Sequence, residues 1–296
     1  MPLNNPATVG STGSYVLTAD GPEAPGVLHA ITGYLVEQHA DIVEIKQFDD
    51  MRAMHYFVRV EYRITEGFAD PGLDEMRRRF EPVAERLQLR FDLVPSTHRQ
   101  RVLIMVSKFE HCLTDLLFRA RIGELPIEIV AVVSNHTTHR SLSEWHGVPF
   151  FHIPVTPENK PEAEQKLLDL VDRFEVDLVV LARYMQILSE QLSDRMEGRV
   201  INIHHSFLPS FKGAKPYHQA YARGVKTVGA TAHYVTSDLD EGPIIAQQVQ
   251  HVDHAYSPED LVAAGRDTES KALSDAVRWH AEGRVILHDG RTVVLL

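Results

Sequence analysis

The sequence contains very little cysteine, since Cys112 is the only one among 296 residues. A single thiol cannot close an intrachain disulfide, and a thiol-based zinc or iron–sulfur site needs several. Basic residues are also scarce: 30 Lys and Arg stand against 41 Asp and Glu, which leaves a net charge of -11. We expect no nucleic-acid partner, because such binding usually depends on a basic surface. Together these absences favour a cytoplasmic protein.

Long hydrophobic runs are absent as well. The most apolar stretches, residues 102–106 and 178–181, are far shorter than the roughly 18 residues that span a bilayer. Residues 1–12 are rich in small and polar residues and lack the basic and then apolar order of a secretory signal, so we expect a flexible tail. No membrane partner is predicted.

The chain is about twice as long as a typical domain, which favours two domains. Residues 13–95 predict the order β-α-β-β-α-β of a ferredoxin-like domain, and their clearest strand, 54–64, alternates apolar and polar residues. Residues 96–100 are polar and follow Pro95, so we interpret them as a linker.

Within the first domain, Gly21–Leu28 followed by His39–Ile42 resembles the opening of an ACT domain. ACT domains are small regulatory modules that bind amino acids between paired copies. The resemblance therefore implies an amino-acid effector and a homo-oligomer, either a dimer or a tetramer. A purely structural dimerisation domain is the alternative interpretation, and we see no catalytic group of residues in this segment.

Residues 101–296 have a different pattern, in which short apolar runs alternate with amphipathic segments of helical length, such as 163–174. This pattern predicts an α/β domain with a mostly parallel, doubly wound, Rossmann-type sheet that binds ligands at the carboxyl ends of its strands. Its first strand ends in Ser107–His111, without the glycine-rich turn that a dinucleotide needs. We expect no cofactor.

The strand that begins at Val200 ends in two groups suited to acyl chemistry. Asn202 and His204 are two residues apart, so their side chains share one face of the strand. An amide can donate to the oxyanion of a tetrahedral intermediate, and an imidazole can transfer a proton. A polar strand end that caps the following loop is the alternative interpretation.

A second polar strand, residues 232–236, leads into the acidic turn Asp238–Pro243, which contains Asp240. Most acidic turns are simply solvated, so this carboxylate alone would not indicate a function. Neither a His-x-x-x-His pair nor the usual carboxylate and histidine spacing occurs around Asn202 and His204, and we predict no metal site.

These segments together form a motif set of high specificity. The chain has Asn202–His204, Ser206–Pro209 and Leu239–Pro243, and it resembles the formyltetrahydrofolate-dependent formyltransferase superfamily, whose signature is Asn-x-His, Ser-x-Leu-Pro and Leu-Asp-x-Gly-Pro. The resemblance implies an asparagine that polarises the formyl oxygen, a histidine that stabilises the intermediate and moves protons, and an aspartate that orients the histidine and a water or an amine. The catalytic trio implied here is Asn202, His204 and Asp240.

The same resemblance implies a folate pocket. Residues 181–189 are similar to the superfamily's folate-pocket segment, whose apolar side chains flank the pterin, although ordinary core packing is the alternative. The strand and loop that carry Asp240 supply further candidates. The predicted substrate-binding residues are Met185, Ile187, Leu188, His233, Val235 and Leu239. His205, His218 and His233 are candidates to assist catalysis, and the sequence does not choose among them.

The acceptor of the formyl group distinguishes the branches of this superfamily. The glycinamide ribonucleotide branch holds its acceptor's phosphate on a glycine-containing loop after the first strand, and Ser107–His111 has no glycine. The transfer-RNA branch needs a nucleic-acid surface, which an acidic chain does not favour. The front domain, together with His204–Phe207 and Gly213–Tyr221, resembles the deformylase branch, in which water is the acceptor.

We therefore predict hydrolysis of 10-formyltetrahydrofolate, the expected folate substrate, to tetrahydrofolate and formate. The resemblance implies that this reaction supplies formate for purine biosynthesis and balances the one-carbon folate pools. A formyltransferase with an amine acceptor is the alternative among enzymes. A regulatory protein with a catalytically idle folate-binding domain is the alternative of another class.

Overall fold

A computed structural model of the chain describes residues 13–208 and 216–296. The flexible tail predicted for residues 1–12, Pro209 of the Ser-x-Leu-Pro motif and the segment Gly213–Lys215 lie outside the described residues. The chain divides into two compact units, one that comprises the residues up to His98 together with Leu295–Leu296 and one that comprises Arg99–Val294. The domain limits proposed above, with a linker at residues 96–100, stay predictions.

Among the described residues, the first unit has its elements in the order β-α-β-β-α-β. They are β1 (Ser14–Pro22), α1 (Val27–Glu37), β2 (Ala40–Asp50), β3 (His55–Ile64), α2 (Leu73–Leu87) and β4 (Arg90–Pro95). The four strands form an antiparallel sheet in the order β2-β3-β1-β4. This is the element order that the sequence predicts, and the assignment to the ACT family stays a prediction.

The core of the first unit follows from the alternation along β3. Tyr56, Val58, Val60 and the apolar residues that continue this period are buried in one cluster with side chains of both helices. Phe80 of α2 is fully buried in that cluster. A period of two places every second side chain on one sheet face, and the two helices cover that face.

The second unit contains the remaining described elements. Its strands are β5 (Gln100–Val106), β6 (Ile127–Ser134), β7 (Phe150–His152), β8 (Leu178–Leu181), β9 (Val200–His204), β10 (Thr227–Tyr234), β11 (Ile244–His251), β12 (Val285–His288) and β13 (Arg291–Val294). Its helices are α3 (His111–Arg121), α4 (Arg140–Trp145), α5 (Lys160–Arg173), α6 (Glu190–Arg195), α7 (Pro216–Arg223) and α8 (Pro258–Ala281).

Strands β5 to β11 form a seven-stranded mixed sheet in the order β11-β10-β9-β8-β5-β6-β7. The five strands from β9 to β7 in this order are parallel, whereas β10 and β11 are antiparallel to their neighbours. The chain moves outward from β5 to β7 and then returns to lay β8 and β9 on the other side of β5. This reversal creates a crevice at the carboxyl ends of β5 and β8, where ligands bind in such folds.

The continuous apolar run of β5 is explained by its burial on both faces. Val102, Ile104 and Val106 belong to a core cluster that includes residues of α3 and α8. Leu103 and Met105 belong to a second cluster that includes residues of α5. Because helices cover both sides of this strand, no position on it has to be polar.

Helix α8 begins with a complete capping box. The Ser257 side chain accepts from the backbone N–H of Asp260, the Asp260 side chain accepts from the backbone N–H of Ser257, and Pro258 occupies the first turn. Within residues 13–208 and 216–296, no helix combines the length and the apolar character that crossing a bilayer requires.

Candidate active site

A cavity of about 250 Å³ lies beyond the carboxyl ends of β8 and β9. It collects the predicted catalytic trio and all six predicted substrate-binding residues. These lining residues are Met185, Ile187, Leu188, Asn202, His204, His233, Val235, Leu239 and Asp240. His205 also lines the cavity, whereas His218 lies exposed on α7 and is not among its lining residues. We call this space the catalytic cavity.

Asn202 and His233 meet because of the register between β9 and β10. The two residues are directly paired across the antiparallel strands, so their side chains share one sheet face. The Nδ2 atom of Asn202 lies 3.2 Å from Nε2 of His233, and Nδ1 of His233 lies 2.8 Å from the carbonyl oxygen of Tyr234.

These two contacts show which atoms of Asn202 and His233 carry the hydrogens. A carbonyl oxygen only accepts, so Nδ1 of His233 carries the hydrogen and the Nε2 of the neutral ring accepts from the Asn202 amide. The amide nitrogen of Asn202 therefore faces His233 with one hydrogen and keeps a second hydrogen for another acceptor. His233 acts here as the group that orients the predicted oxyanion donor.

His204 and Asp240 form the second pair of the site. Nδ1 of His204 lies 3.2 Å from Oδ2 of Asp240, and the His204 side chain is 6% exposed. Because a carboxylate only accepts, Nδ1 is the donor. Nε2 of His204 is buried and has no hydrogen-bond partner among the described residues. The ring thus has one nitrogen fixed by Asp240 and the other available for proton transfer.

The carboxylate of Asp240 is held in its charged form. The hydrogen bond from His204 and the nearby imidazole of His233 keep the pKa of Asp240 well below its usual range, although partial burial alone would raise it. The second carboxylate oxygen, Oδ1, lies 3.8 Å from Nε2 of His233. A permanent negative charge at this position stabilises a positive charge on the adjacent imidazole.

The loop that carries Asp240 has a conformation that its glycine makes possible. Asp240 itself lies in the left-handed region with φ +57°. A Cβ atom on Gly242 would overlap the carbonyl oxygen of Tyr234, and the Tyr234 backbone N–H donates to the Pro243 carbonyl oxygen at 2.9 Å. The Gly-Pro pair therefore folds the loop back onto β10 and brings Asp240 toward His204.

The segment after β9 is held by a buried threonine. The backbone N–H of Leu208 donates to Oγ1 of Thr231 at 3.0 Å, and Thr231 in turn donates to the carbonyl oxygen of Ser206 at 3.0 Å. The Gln247 side chain donates to both Thr231 and the Leu208 carbonyl oxygen, each at 3.1 Å. These bonds attach the end of β9, with His204, to β10 and β11.

One wall of the catalytic cavity is apolar and exposed. Met185, Ile187 and Leu239 are 55%, 59% and 58% exposed, so core packing does not account for them, whereas Leu188 and Val235 are half-buried and also contact the core. Exposed apolar side chains around a concavity are typical of a site for a flat, largely apolar ring.

The loop after β8 is anchored by two polar residues that the sequence analysis did not select. The Met185 backbone N–H donates to Oγ of Ser107 at 2.9 Å, and Ser107 donates to Oδ1 of Asn135 at 2.8 Å. These residues follow β5 and β6, and their proximity to Met185 depends on the strand order of the sheet. A serine and an asparagine at two separate strand ends carry no local signal of this role.

His205 is the remaining imidazole of the cavity. Burial, together with the nearby charges of Arg183 and His204, lowers the pKa of His205 to about 4. The residue is therefore neutral at physiological pH. Its ring centre lies 5.0 Å from that of His204, which places an uncharged neighbour beside the predicted proton-transfer group.

Comparisons with known proteins identify the family of this chain. Residues 100–277 match the formyl transferase family. A formyltetrahydrofolate deformylase from Corynebacterium sp. (strain P-1) is 60% identical over 282 residues, which are 95% of this chain and 98% of the relative. The solved formyltetrahydrofolate deformylase from Burkholderia mallei is 50% identical, with a TM-score of 0.91 over 96% of this chain and 100% of that chain.

A solved glycinamide ribonucleotide transformylase 1 from Symbiobacterium toebii is more distant. It is 30% identical, with a TM-score of 0.64 over 69% of this chain and 98% of that chain. The deformylases thus match almost the full length, with the mixed sheet of an α/β formyltransferase-type fold in the second unit. The chain belongs to the formyltetrahydrofolate deformylase family.

Proposed function

We propose that this chain hydrolyses 10-formyltetrahydrofolate to tetrahydrofolate and formate, with Asn202, His204 and Asp240 as its catalytic residues. The observation that carries this proposal is the convergence of two oriented pairs, Asn202 with His233 and His204 with Asp240, on one cavity. The apolar wall formed by Met185, Ile187, Leu239 and their neighbours is suited to the pterin ring of the folate.

The mechanism begins with a water molecule as the nucleophile. Nε2 of His204 accepts a proton from the water while its oxygen attacks the formyl carbon, and Asp240 stabilises the imidazolium that forms. The remaining N–H of Asn202 donates to the oxyanion of the tetrahedral intermediate. Because Asp240 fixes Nδ1 and His233 fixes the amide, both groups face the substrate without reorganisation.

Collapse of the intermediate completes the reaction. The bond between the formyl carbon and N10 of the folate breaks, and the imidazolium of His204 returns its proton to N10. The products are tetrahydrofolate and formic acid, which ionises to formate in water. We propose that this formate supplies purine biosynthesis and that the reaction balances the one-carbon folate pools.

The test is an assay of the purified chain with 10-formyltetrahydrofolate and no added amine. We expect equimolar formate and tetrahydrofolate over many turnovers. A formyltransferase would not sustain formate release without an amine acceptor, and a regulatory folate-binding protein would bind the folate without turnover. Either of those results would contradict the proposal.

The mechanism assigns every step to side chains and water, without a metal ion or a cofactor. Preincubation with a chelator, followed by gel filtration, is therefore expected to leave the rate of formate release unchanged. A rate that disappears on chelation and returns on addition of a divalent cation would contradict this part of the proposal.

For the first unit we propose an ACT-type regulatory role in a cytoplasmic homo-oligomer. The support is the element order, the sheet order β2-β3-β1-β4 and the resemblance of Gly21–Leu28 to the opening of such modules. Light scattering tests the association, and the formate assay repeated with each amino acid tests the effector. A monomer whose rate is insensitive to all of them would contradict both.

A further inference from the structure

A buried ionic cluster outside the catalytic trio surrounds Glu269 of α8. Its side chain is 2% exposed, and Oε2 lies 2.7 Å from Nε2 of His111 and 3.3 Å from Nε of Arg183. The hydroxyl of Tyr217 donates to the other oxygen, Oε1, at 2.7 Å. We call these four residues, His111, Arg183, Tyr217 and Glu269, the partition.

The glutamate of the partition is charged in spite of its burial. Burial alone would raise the pKa of Glu269, but the hydrogen bonds from His111 and Tyr217 and the charge of Arg183 together hold that pKa below its usual range. Burying a carboxylate is costly unless its partners are well placed. Among the described residues, no hydrogen bond or ion pair connects Glu269 to Asn202, His204 or Asp240, so the proposed chemistry does not use it.

The partition lies between two cavities. Arg183 lines the catalytic cavity, whereas His111 lines a larger open cavity of about 860 Å³, which Phe109 and Ser270 also line and which we call the outer cavity. Glu269 contacts both Arg183 and His111, and the guanidinium of Arg183 lies 5.3 Å from the ring centre of Phe109. A few side chains thus separate the outer cavity, which is large enough for a metabolite, from the catalytic cavity.

We propose that the partition determines acceptor specificity: it keeps an amine seated in the outer cavity away from the formyl carbon, so that water is the acceptor. This inference rests on the proposed function. In the reaction that the partition prevents, the amine nitrogen attacks the formyl carbon, the bond to N10 of the folate breaks, and one amine proton ends on N10. The products would be a formamide and tetrahydrofolate in place of formate.

The test measures how the formyl group is divided between water and an amine. Wild type and the variants Glu269→Ala and His111→Ala are incubated with 10-formyltetrahydrofolate and glycinamide, and formate and N-formylglycinamide are quantified together. We expect almost only formate from the wild type and at least a tenfold higher ratio of N-formylglycinamide to formate from both variants. Glu269→Gln is the matched control, since it removes the charge but keeps the bulk, and we expect it to stay near the wild-type ratio.

His111→Ala keeps the inference testable if Glu269→Ala does not fold. The His111 side chain is 17% exposed, and its removal leaves Glu269 with Arg183 and Tyr217 as partners. Folded variants that release formate with the wild-type product ratio would overturn the inference, as would a wild type that already formylates glycinamide. Folded variants that carry out neither reaction would also overturn it, since the partition would then be part of the catalytic machinery. A wild type that releases no formate would instead overturn the proposed function itself, and this inference with it.

Discussion

Asn202 contributes to the reaction through a single N–H that is oriented before the substrate arrives. Replacing it with alanine removes the donor to the oxyanion, and loss of one such donor typically lowers turnover by about a hundredfold to a thousandfold. We expect Asn202→Ala to lower kcat by that order, with little change in KM, because the donor acts mainly on the transition state. Steady-state kinetics of formate release check this.

Asn159→Ala is the matched control for this variant. Asn159 lies at the start of α5, where its side chain bonds the backbone around Thr156 and Pro154, and it does not line the catalytic cavity. Its loss should change stability slightly and kcat not at all. Near-normal turnover by Asn202→Ala would contradict the assigned role.

Asp240 supplies charge and orientation to His204. Asp240→Asn keeps the size of the side chain but removes the charge that stabilises the imidazolium, so we expect kcat to fall by at least about a hundredfold. Because the pKa of Asp240 is held well below its usual range, this group stays ionised around neutral pH. The pH profile of the wild type between pH 5 and 8 should therefore contain no titration of Asp240.

Asp289→Asn is the control, since Asp289 also has a left-handed backbone, with φ +47°, but lies in the turn between β12 and β13. Asparagine tolerates this conformation well, so neither substitution should strain the chain. If Asp240→Asn retained full activity, the His204 and Asp240 pair would not be catalytic.

The residues of the site could be selected from the sequence because motifs identify residue types and spacings. The motifs predicted the trio and the cavity lining, and the structure brings all nine of these residues together. They did not predict that His233 orients the amide of Asn202. That role depends on the register of β9 against β10, and register is a property of the paired strands, not of either segment alone.

The position of Asp240 depends on the tight turn that follows β10. In Gly242→Ala, the new Cβ would overlap the Tyr234 carbonyl oxygen, so the loop has to move away from β10. We expect a loss of formate release at least as large as that of Asp240→Asn, accompanied by a lower melting temperature. Activity and thermal unfolding of the purified variant provide the measurement.

Gly33→Ala provides a matched control for the loop. Gly33 lies inside α1, and a Cβ atom there would have no other atom within 4 Å. Alanine is favoured over glycine inside a helix by roughly 1 kcal/mol, so this variant should be at least as stable as the wild type. Wild-type activity in Gly242→Ala would show that the loop can position Asp240 without this close approach.

The sequence predicted most elements but not all of their ends. A strand was expected at residues 232–236, whereas β10 spans Thr227–Tyr234, because Gly242 and Pro243 turn the chain back against Tyr234. Helix α8 after Ser257 and the hairpin at Asp289 and Gly290 are instead set by local signals, a capping box and a two-residue turn. Strand ends set by a tertiary contact have no such signal.

For the whole molecule, the order and direction of the strands are the features that are hardest to predict from the sequence. Continuous apolar runs indicated a mostly parallel sheet, and five parallel strands confirm it. The antiparallel addition of β10 could not be predicted from its pattern, because β10 is buried along almost its whole length and a strand buried on both faces has the same composition in either direction. This addition is what places His233 opposite Asn202.

The stability of the second unit should depend on pH through two buried histidines. Burial, with nearby positive groups in the case of His205, lowers the pKa of His205 and of His280 to about 4 in each case. An unfolded histidine has a pKa of about 6.5, so the unfolded chain binds more protons between pH 6.5 and pH 4. The free energy of unfolding therefore falls as the pH drops through this window, by roughly 2 to 3 kcal/mol for each histidine.

Urea unfolding followed by tryptophan fluorescence measures this effect in the second unit, because Trp145 and Trp279 both belong to it. We expect His280→Gln to reduce the loss of stability between pH 7 and pH 4.5, since glutamine does not titrate and can still accept from the Tyr234 hydroxyl that now bonds His280 Nδ1. His254→Gln, at an exposed position, is the matched control for the substitution itself. An unaltered pH dependence in His280→Gln would mean that His280 titrates alike in the folded and the unfolded chain.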